Sequence, residues 1–383
     1  MKILHIGKYF PPFHGGMENF LDDLAREQVS QGHEVQVLCH QHERGRPTET
    51  DPVDSGLKIT RVAIMGVVAY APITSGFFRI LKDVLSFFKP DVVHAHMPNL
   101  SAFWLLFSRV PAKVVIHWHS DVVSSENDWK LRVLYPFYRV FEKRILEQAH
   151  RIIATSEAYL ETSAPLQAFR EKCRTIPLGV SLDKLRHFAG EFDDRVDPER
   201  INDHPIAGQD FILSVGRFTY HKGYEYLIRA CKAGYQGRLV IVGDGPLKPG
   251  LMKLVRKLGL EKRVFMPGMV DDDHLHGLFA RCTAFCLPSI ERTEAFGMVL
   301  LEAMFHAKPL ITTRVEGSGM NEVNVHEETG LAVSPKDPAG LARAMNFMLE
   351  QKQKAGRMGE YGRGRLEERF DICRVAREIE KVY

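Results

Sequence analysis

Residues 284–307 constrain the fold of this chain most. Ala284, Phe285, Cys286 and Leu287 form a short apolar run closed by Pro288. That run reads as a buried strand ending at its proline. Residues 297–307 carry helical spacing, and Lys308 and Pro309 stop them. A strand, a loop and a helix start thus follow one another, with Glu294 in the loop and Glu302 inside the helix. A helix start presents free N–H groups and a positive dipole end, which favour a phosphate or an oxygen-rich ligand. Glu302 sits among Val299, Leu300, Leu301, Ala303, Met304 and Phe305. A carboxylate in so apolar a helix is costly unless something pairs with it. A partner lysine or arginine is one solution and a ligand bearing hydroxyls is another. The spacing leaves both open.

The same alternation runs along the chain. Residues 2–7, 34–39, 58–64, 91–96, 113–121, 151–156 and 174–181 read as strands in the first half. Residues 18–31, 72–90 and 126–149 carry helical periodicity between them. Strands restart at 211–215, 238–242, 264–266 and 310–313, with helices at 247–258, 274–281 and 338–351. Strand–helix alternation of this kind predicts an α/β, doubly wound parallel sheet. The polar residues 41–57 read as a surface loop. At 383 residues the chain exceeds the usual single domain. Residues 182–209 are charged, without a clear period, and read as the boundary. The expected units are 1–185, 186–368 and a last helical segment, 369–383.

Composition narrows the class. Hydrophobic content of 45% and charged content of 26% are those of a soluble globular protein. A net charge of +3 is too small to argue for nucleic acid. The six cysteines are scattered and read as reduced thiols of a cytosolic protein. The first apolar run is too short for a signal peptide, and residues 62–71, the longest apolar stretch, fall short of a bilayer span. Peripheral attachment at the inner face of the plasma membrane stays open. Residues 77–89 have a very apolar face, best read as core packing. Residues 129–151 mix aromatic and basic side chains, which fits either snorkelling cations or a face for anionic lipid headgroups.

Several other residues could carry chemistry. Gly15 and Gly16 lie between the first strand and the first helix, where glycine lets a ligand approach the backbone. Arg217 and Lys222 lie at a strand end and before a helix start, where a fork and a point charge could neutralise a diphosphate. Gly243, Asp244 and Gly245 make a similar turn after a buried strand. His94, His96, His117 and His119 end two strands on matching faces. They could hold zinc, but parallel strand ends also serve substrates without metal.

With Glu294 and Glu302 separated by seven residues, and Gly216, Arg217, Lys222 and Gly223 in a Gly-Arg-x4-Lys-Gly pattern, the chain resembles the retaining glycosyltransferases of family 4. The resemblance covers nearly the whole length and implies the GT-B fold, two Rossmann-like doubly wound domains facing a cleft, with the helix of 369–383 returning to the N-terminal domain. It implies an enzyme moving a hexose from a nucleotide diphosphate sugar, GDP-mannose or a UDP-sugar, to a glycan or polyprenyl-linked acceptor of surface polysaccharide or lipopolysaccharide. By resemblance Arg217 and Lys222 hold the diphosphate, Glu294 and His119 meet the donor sugar, and Glu302 binds the ribose. Gly15, Gly16 and Gly243 line the donor. Backbone around Met269 and Val270 meets the base, and the N–H groups of Phe296, Gly297 and Met298 face sugar and phosphate. No metal or other cofactor is implied, because two cations and a helix end do the ion's work. Glu291, Arg292 and Thr293 depart from the small residues usual before Glu294. Other readings are a non-catalytic nucleotide-sugar or lipid-headgroup binding protein, a phosphorylase with a pyridoxal-bearing lysine, and a nicotinamide-dependent dehydrogenase. The last lacks its glycine fingerprint.

Overall fold

The computed structural model describes residues 1–54, 56–68, 70–122, 129–190, 200–201, 204–205 and 209–383. The chain divides into two compact units, Met1–Leu178 with Ile372–Tyr383, and Gly179–Asp371.

The first unit is built on an eight-stranded sheet. Its strands are β1 (Lys2–Ile6), β2 (Glu34–His40), β3 (Glu49–Asp54), β4 (Leu57–Val62), β5 (Val92–Met97), β6 (Lys113–Trp118), β7 (Arg151–Ala154) and β8 (Cys173–Thr175). Their spatial order is β8-β7-β6-β5-β1-β2-β4-β3. All neighbours are parallel except β3, which runs antiparallel to β4 at the edge. Every residue of β5 is buried, as expected of a strand covered on both faces. The order reverses between β1 and β5, the switch point at which such sheets bind ligands.

Helix α1 (Gly16–Ser30) turns Phe20, Leu21, Leu24, Ala25 and Gln28 inward. Helix α2 (Phe77–Phe88) buries Phe77, Leu81, Leu85 and Phe88, the core packing expected of its apolar face. Helix α3 (Trp129–Gln148) follows β6.

The second unit carries a six-stranded, wholly parallel sheet. Its strands are β9 (Phe211–Val215), β10 (Arg238–Val242), β11 (Val264–Gly268), β12 (Ala284–Leu287), β13 (Leu310–Thr313) and β14 (Gly330–Val333), in the order β11-β10-β9-β12-β13-β14. Here the switch point lies between β9 and β12. All four residues of β12 are buried, so the strand read from its apolar run is a central one.

Three expectations need correcting. Residues 182–209 are not a structureless linker throughout, since α4 (Leu182–Gly190) is helical. It packs on the helix Asp272–Arg281 of the second unit, with Phe188 stacked 5.2 Å from His276. Val180 also bridges to Asp371. The compact units divide at Leu178/Gly179 and Asp371/Ile372, a few residues from the 185/186 and 368/369 read from the sequence. Residues 41–57 contain the edge strand β3. The helix after Glu294 is shorter than 297–307. Gly297 has φ +82°, outside the helical region, and α6 (Val299–Phe305) begins after it; α5 is Tyr224–Lys232, the helix after β9.

The last helix, α7 (Ile372–Glu380), belongs to the first unit, where it packs on α1. It buries Ile372, Val375, Ala376 and Ile379, one face at helical spacing.

Candidate active site

In the second unit, the loops after β9 and β12 meet at the switch point. The chain leaves β9 through Gly216 and Arg217, makes a short turn at Tyr220–Lys222, and enters α5 through Gly223. Gly223 has φ +68°, and a Cβ there would lie 2.2 Å from the Pro288 carbonyl oxygen. Only glycine allows this close seat against the end of β12. The Ile290 N–H donates to the His221 carbonyl oxygen at 2.7 Å, which locks the two loops together.

That seat brings Lys222 Nζ to 2.5 Å from Glu294 Oε2, with both side chains mostly buried. Ser289 Oγ donates to the same carboxylate oxygen at 3.1 Å. Burial alone would raise the Glu294 carboxyl. The Lys222 and His221 charges beside it, with hydrogen bonds from Lys222 and Ser289, hold it below its ordinary value. Burial pushes His221 down, opposed by Glu294. The loop itself is fixed from behind: Thr313 Oγ1 donates to the Ser289 carbonyl, Ser318 Oγ to the Glu294 carbonyl, and the Gly319 N–H to the Ala295 carbonyl at 2.8 Å. An anionic carboxylate and a cation are therefore held in one geometry before any ligand arrives.

The other expected residues of this unit surround the same strand ends. Arg217 is exposed directly after β9 and has no ion pair among the described residues. Gly243, at φ +138°, follows β10; a Cβ there would meet the Gly216 carbonyl at 2.1 Å. Its place is thus set by close backbone packing of two turns. Asp244 pairs with Lys248 at 2.7 Å. Met269 and Val270 follow β11, with Met269 largely exposed. Phe296 is buried with its ring 5.9 Å from that of Phe370. Gly297 and Met298 lead into α6, and Glu302 lies half-buried within that helix. Among the described residues no acceptor takes the N–H of Phe296, Gly297 or Met298. Ser289 and His221 were not expected from the sequence. A serine five positions before Glu294 and a histidine beside Lys222 gave no periodic signal.

In the first unit, Gly15 caps α1 with extended backbone. A Cβ on it would lie 2.3 Å from Glu18 Oε2. Its smallness therefore also makes room for a buried carboxylate of its own helix. Gly16 is the first residue of α1. His119 follows β6 and is buried. It stacks on His117 with ring centroids 4.4 Å apart and on His96 at 5.2 Å. His94, His96 and His117 join it, as the strand spacing suggested, and His5 of β1 is a further member that the sequence reading missed. Two triads, His5 with His94 and His96, and His96 with His117 and His119, place ring nitrogens within 4.8 Å of one another. Burial pushes His5 down to about 4 and His119 to about 3, and lowers the other three well below the ordinary value. All five rings are neutral at pH 7.

Comparison with known proteins agrees with this fold. Residues 14–184 match the family model described as glycosyltransferase family 4, and residues 196–365 match that of glycosyl transferases group 1. The chain is 32% identical to the D-rhamnosyltransferase WbpZ of Pseudomonas aeruginosa, over 97% of this chain and 92% of that protein. It is 30% identical to the O-antigen chain mannosyltransferase C of Escherichia coli, over 97% and 94%. Among solved structures it resembles a sucrose-phosphate synthase from Thermosynechococcus elongatus, at 24% identity and TM-score 0.79, over 100% of this chain and 98% of that one. It also resembles Anabaena HepE in complex with UDP-glucose, at 21% identity and TM-score 0.71, over 100% and 98%. The loops that join Lys222 to Glu294 lie in a GT-B scaffold, and the chain belongs to glycosyltransferase family 4.

Proposed function

We propose that this glycosyltransferase transfers a hexose with retention of anomeric configuration, without a metal ion, from a nucleotide diphosphate sugar to a growing surface polysaccharide. GDP-mannose is the donor we favour, supported by the likeness to an O-antigen mannosyltransferase. The observation that carries the reading is the buried Lys222–Glu294 pair at the switch point, with Arg217 exposed beside it. Lys222 and Arg217 would neutralise the diphosphate and the charge that grows on it as the glycosidic bond breaks. Glu294, kept ionised, would accept hydrogen bonds from sugar hydroxyls, and Glu302 from the ribose. The N–H groups of Phe296, Gly297 and Met298 would face sugar and phosphate, Gly243 and the backbone at Met269 and Val270 the nucleotide, and Gly15, Gly16 and His119 the donor from the first unit.

The test is thermal stability against UDP-, GDP-, ADP- and dTDP-sugars, with EDTA and with magnesium. A ligand that binds only the folded state raises Tm by mass action. A GDP-mannose shift that survives EDTA, followed by an α-linked product read by NMR, is the expected result. A shift that needs magnesium, or a β-linked product, would sink the metal-independent or the retaining part.

We also infer peripheral attachment to an anionic membrane, which suits a lipid-linked acceptor. No helix among the described residues is long and apolar enough to cross a bilayer. Instead α2, the turn Leu100–Phe107 and α3 pack together and leave Phe87, Trp104, Phe107, Phe137 and Val140 exposed. Arg139, Lys143 and Arg144 are exposed on α3 as well. Apolar anchors flanked by cations suit anionic headgroups. The side chains at 129–132, part of the expected basic face, lie outside the described residues.

A further inference from the structure

His119 is the end of a hydrogen-bonded chain. Its Nε2 lies 2.9 Å from His96 Nδ1, and His96 Nε2 lies 3.1 Å from His5 Nδ1. His5 Nε2 is 2.7 Å from Gln28 Oε1, and Gln28 Nε2 donates to the Tyr383 hydroxyl at 2.9 Å. That hydroxyl is 2.7 Å from His94 Nδ1. All six side chains are buried and belong to the first unit. They come from α1, β1, β5, the end of β6 and the segment after α7.

Each link needs one donor and one acceptor, and a neutral imidazole has one of each. One fixed link therefore sets all the others. Gln28 Oε1 only accepts, so His5 carries its proton on Nε2. His5 Nδ1 then accepts from His96 Nε2–H, and His96 Nδ1 accepts from His119 Nε2–H. His119 is left with a lone pair on Nδ1, a buried atom with no partner among the described residues. With the amide so placed, Tyr383 takes the Gln28 N–H and gives its own proton to His94. Turning the amide over would reverse every link and put a proton on His119 Nδ1.

We propose that Gln28 and Tyr383 are positioning residues that hold His119 in the Nε2–H tautomer, so that its Nδ1 accepts a hydrogen bond from a hydroxyl of the donor sugar. The proposal rests on the donor-binding role of His119 given above. A fixed lone pair suits a hydroxyl, which can turn its proton toward it, and repels a carbonyl or carboxylate oxygen, which has none to give.

The test is nitrogen-15 NMR of the full chain labelled at histidine, with His119 assigned by its loss in His119→Asn. Wild type should show His5, His96 and His119 protonated on Nε2. Gln28→Leu should lose the single tautomer and raise the KM for donor about tenfold, the loss of one neutral hydrogen bond, with kcat changed less. Gln28→Glu keeps an acceptor facing His5. It should keep the tautomer and most of the donor affinity, although its buried carboxylate lowers Tm more than leucine does. Tyr383→Phe should show mixed tautomers. A wild-type His119 protonated on Nδ1 overturns the relay. So does a donor KM that follows Tm across the Gln28 variants, or stoichiometric zinc in place of the His119 proton. The NMR readout needs no turnover. His119 in the expected tautomer in a protein that binds no sugar nucleotide would instead overturn the assignment of the hydroxyl.

Discussion

Lys222 and Glu294 meet at 2.5 Å although they leave two different strands, β9 and β12, because Gly223 lets one loop sit on the other. Removing either partner strands a mostly buried charge. Lys222→Ala should cost about 1–3 kcal/mol of stability and, if the pair acts on the donor, about 10²–10³-fold in turnover. Urea unfolding and initial rates check the two effects separately. Near wild-type turnover in Lys222→Ala or Glu294→Ala would sink the assigned roles.

Gly223→Ala should be among the most damaging single-methyl changes in the second unit. The new Cβ would meet the Pro288 carbonyl oxygen and strain a left-handed backbone. We expect about 1–3 kcal/mol of destabilisation together with reduced turnover. By contrast, Gly250→Ala, where a Cβ would meet nothing, should be tolerated. Equal melting temperatures for the two variants would contradict this account.

Acid should weaken the first unit before it discharges Glu294. Burial lowers His5 and His40 to about 4 and His119 to about 3. Their folded values lie below their unfolded ones, so each ring's contribution is fully present above about pH 6.5 and is lost as pH falls toward 4. The slope is about 1.4 kcal/mol per pH unit per fully coupled ring. Glu294, also lowered, adds a loss at still lower pH, below its unfolded value. Unfolding free energies measured at pH 7, 6 and 5 should therefore fall in that order, and a flat profile would show the rings to be solvated.

Membrane attachment has its own test. The double variant Phe87→Ser with Phe137→Ser removes two of the most exposed rings. It should lower flotation with vesicles of anionic phospholipid, and Arg139→Glu should do so in a salt-dependent way. Wild-type protein that fails to float would end the idea.

What the sequence disclosed follows from how local the cause was. Lys222, Glu294 and Glu302 lie in short strand–loop–helix units, whose apolar runs and glycines can be read in place. The four histidines at the ends of β5 and β6 were legible from their alternation. His5, Gln28 and Tyr383 were not. They meet through parallel pairing of β1 with β5 and the docking of α7 on α1, and nothing near them in sequence marks that meeting. Edge strand β3 was missed because its residues are polar, with one neighbour to pair with. Helix α4 was missed because it buries few apolar side chains, chiefly Leu182 and Leu185.

The interrupted first unit also has a history within each molecule. Residues 179–371 are contiguous and can close their sheet as soon as they have left the ribosome. The Val180 N–H bonds the Phe370 carbonyl at 2.9 Å, so the two passages of the chain are tied side by side when that unit is finished. Until α7 arrives, the part of α1 on which it packs stays uncovered and the Gln28 amide lacks its Tyr383 partner. Ile379 and Tyr383 are translated only after residues 179–371, so part of the first unit's core follows the whole of the second unit off the ribosome.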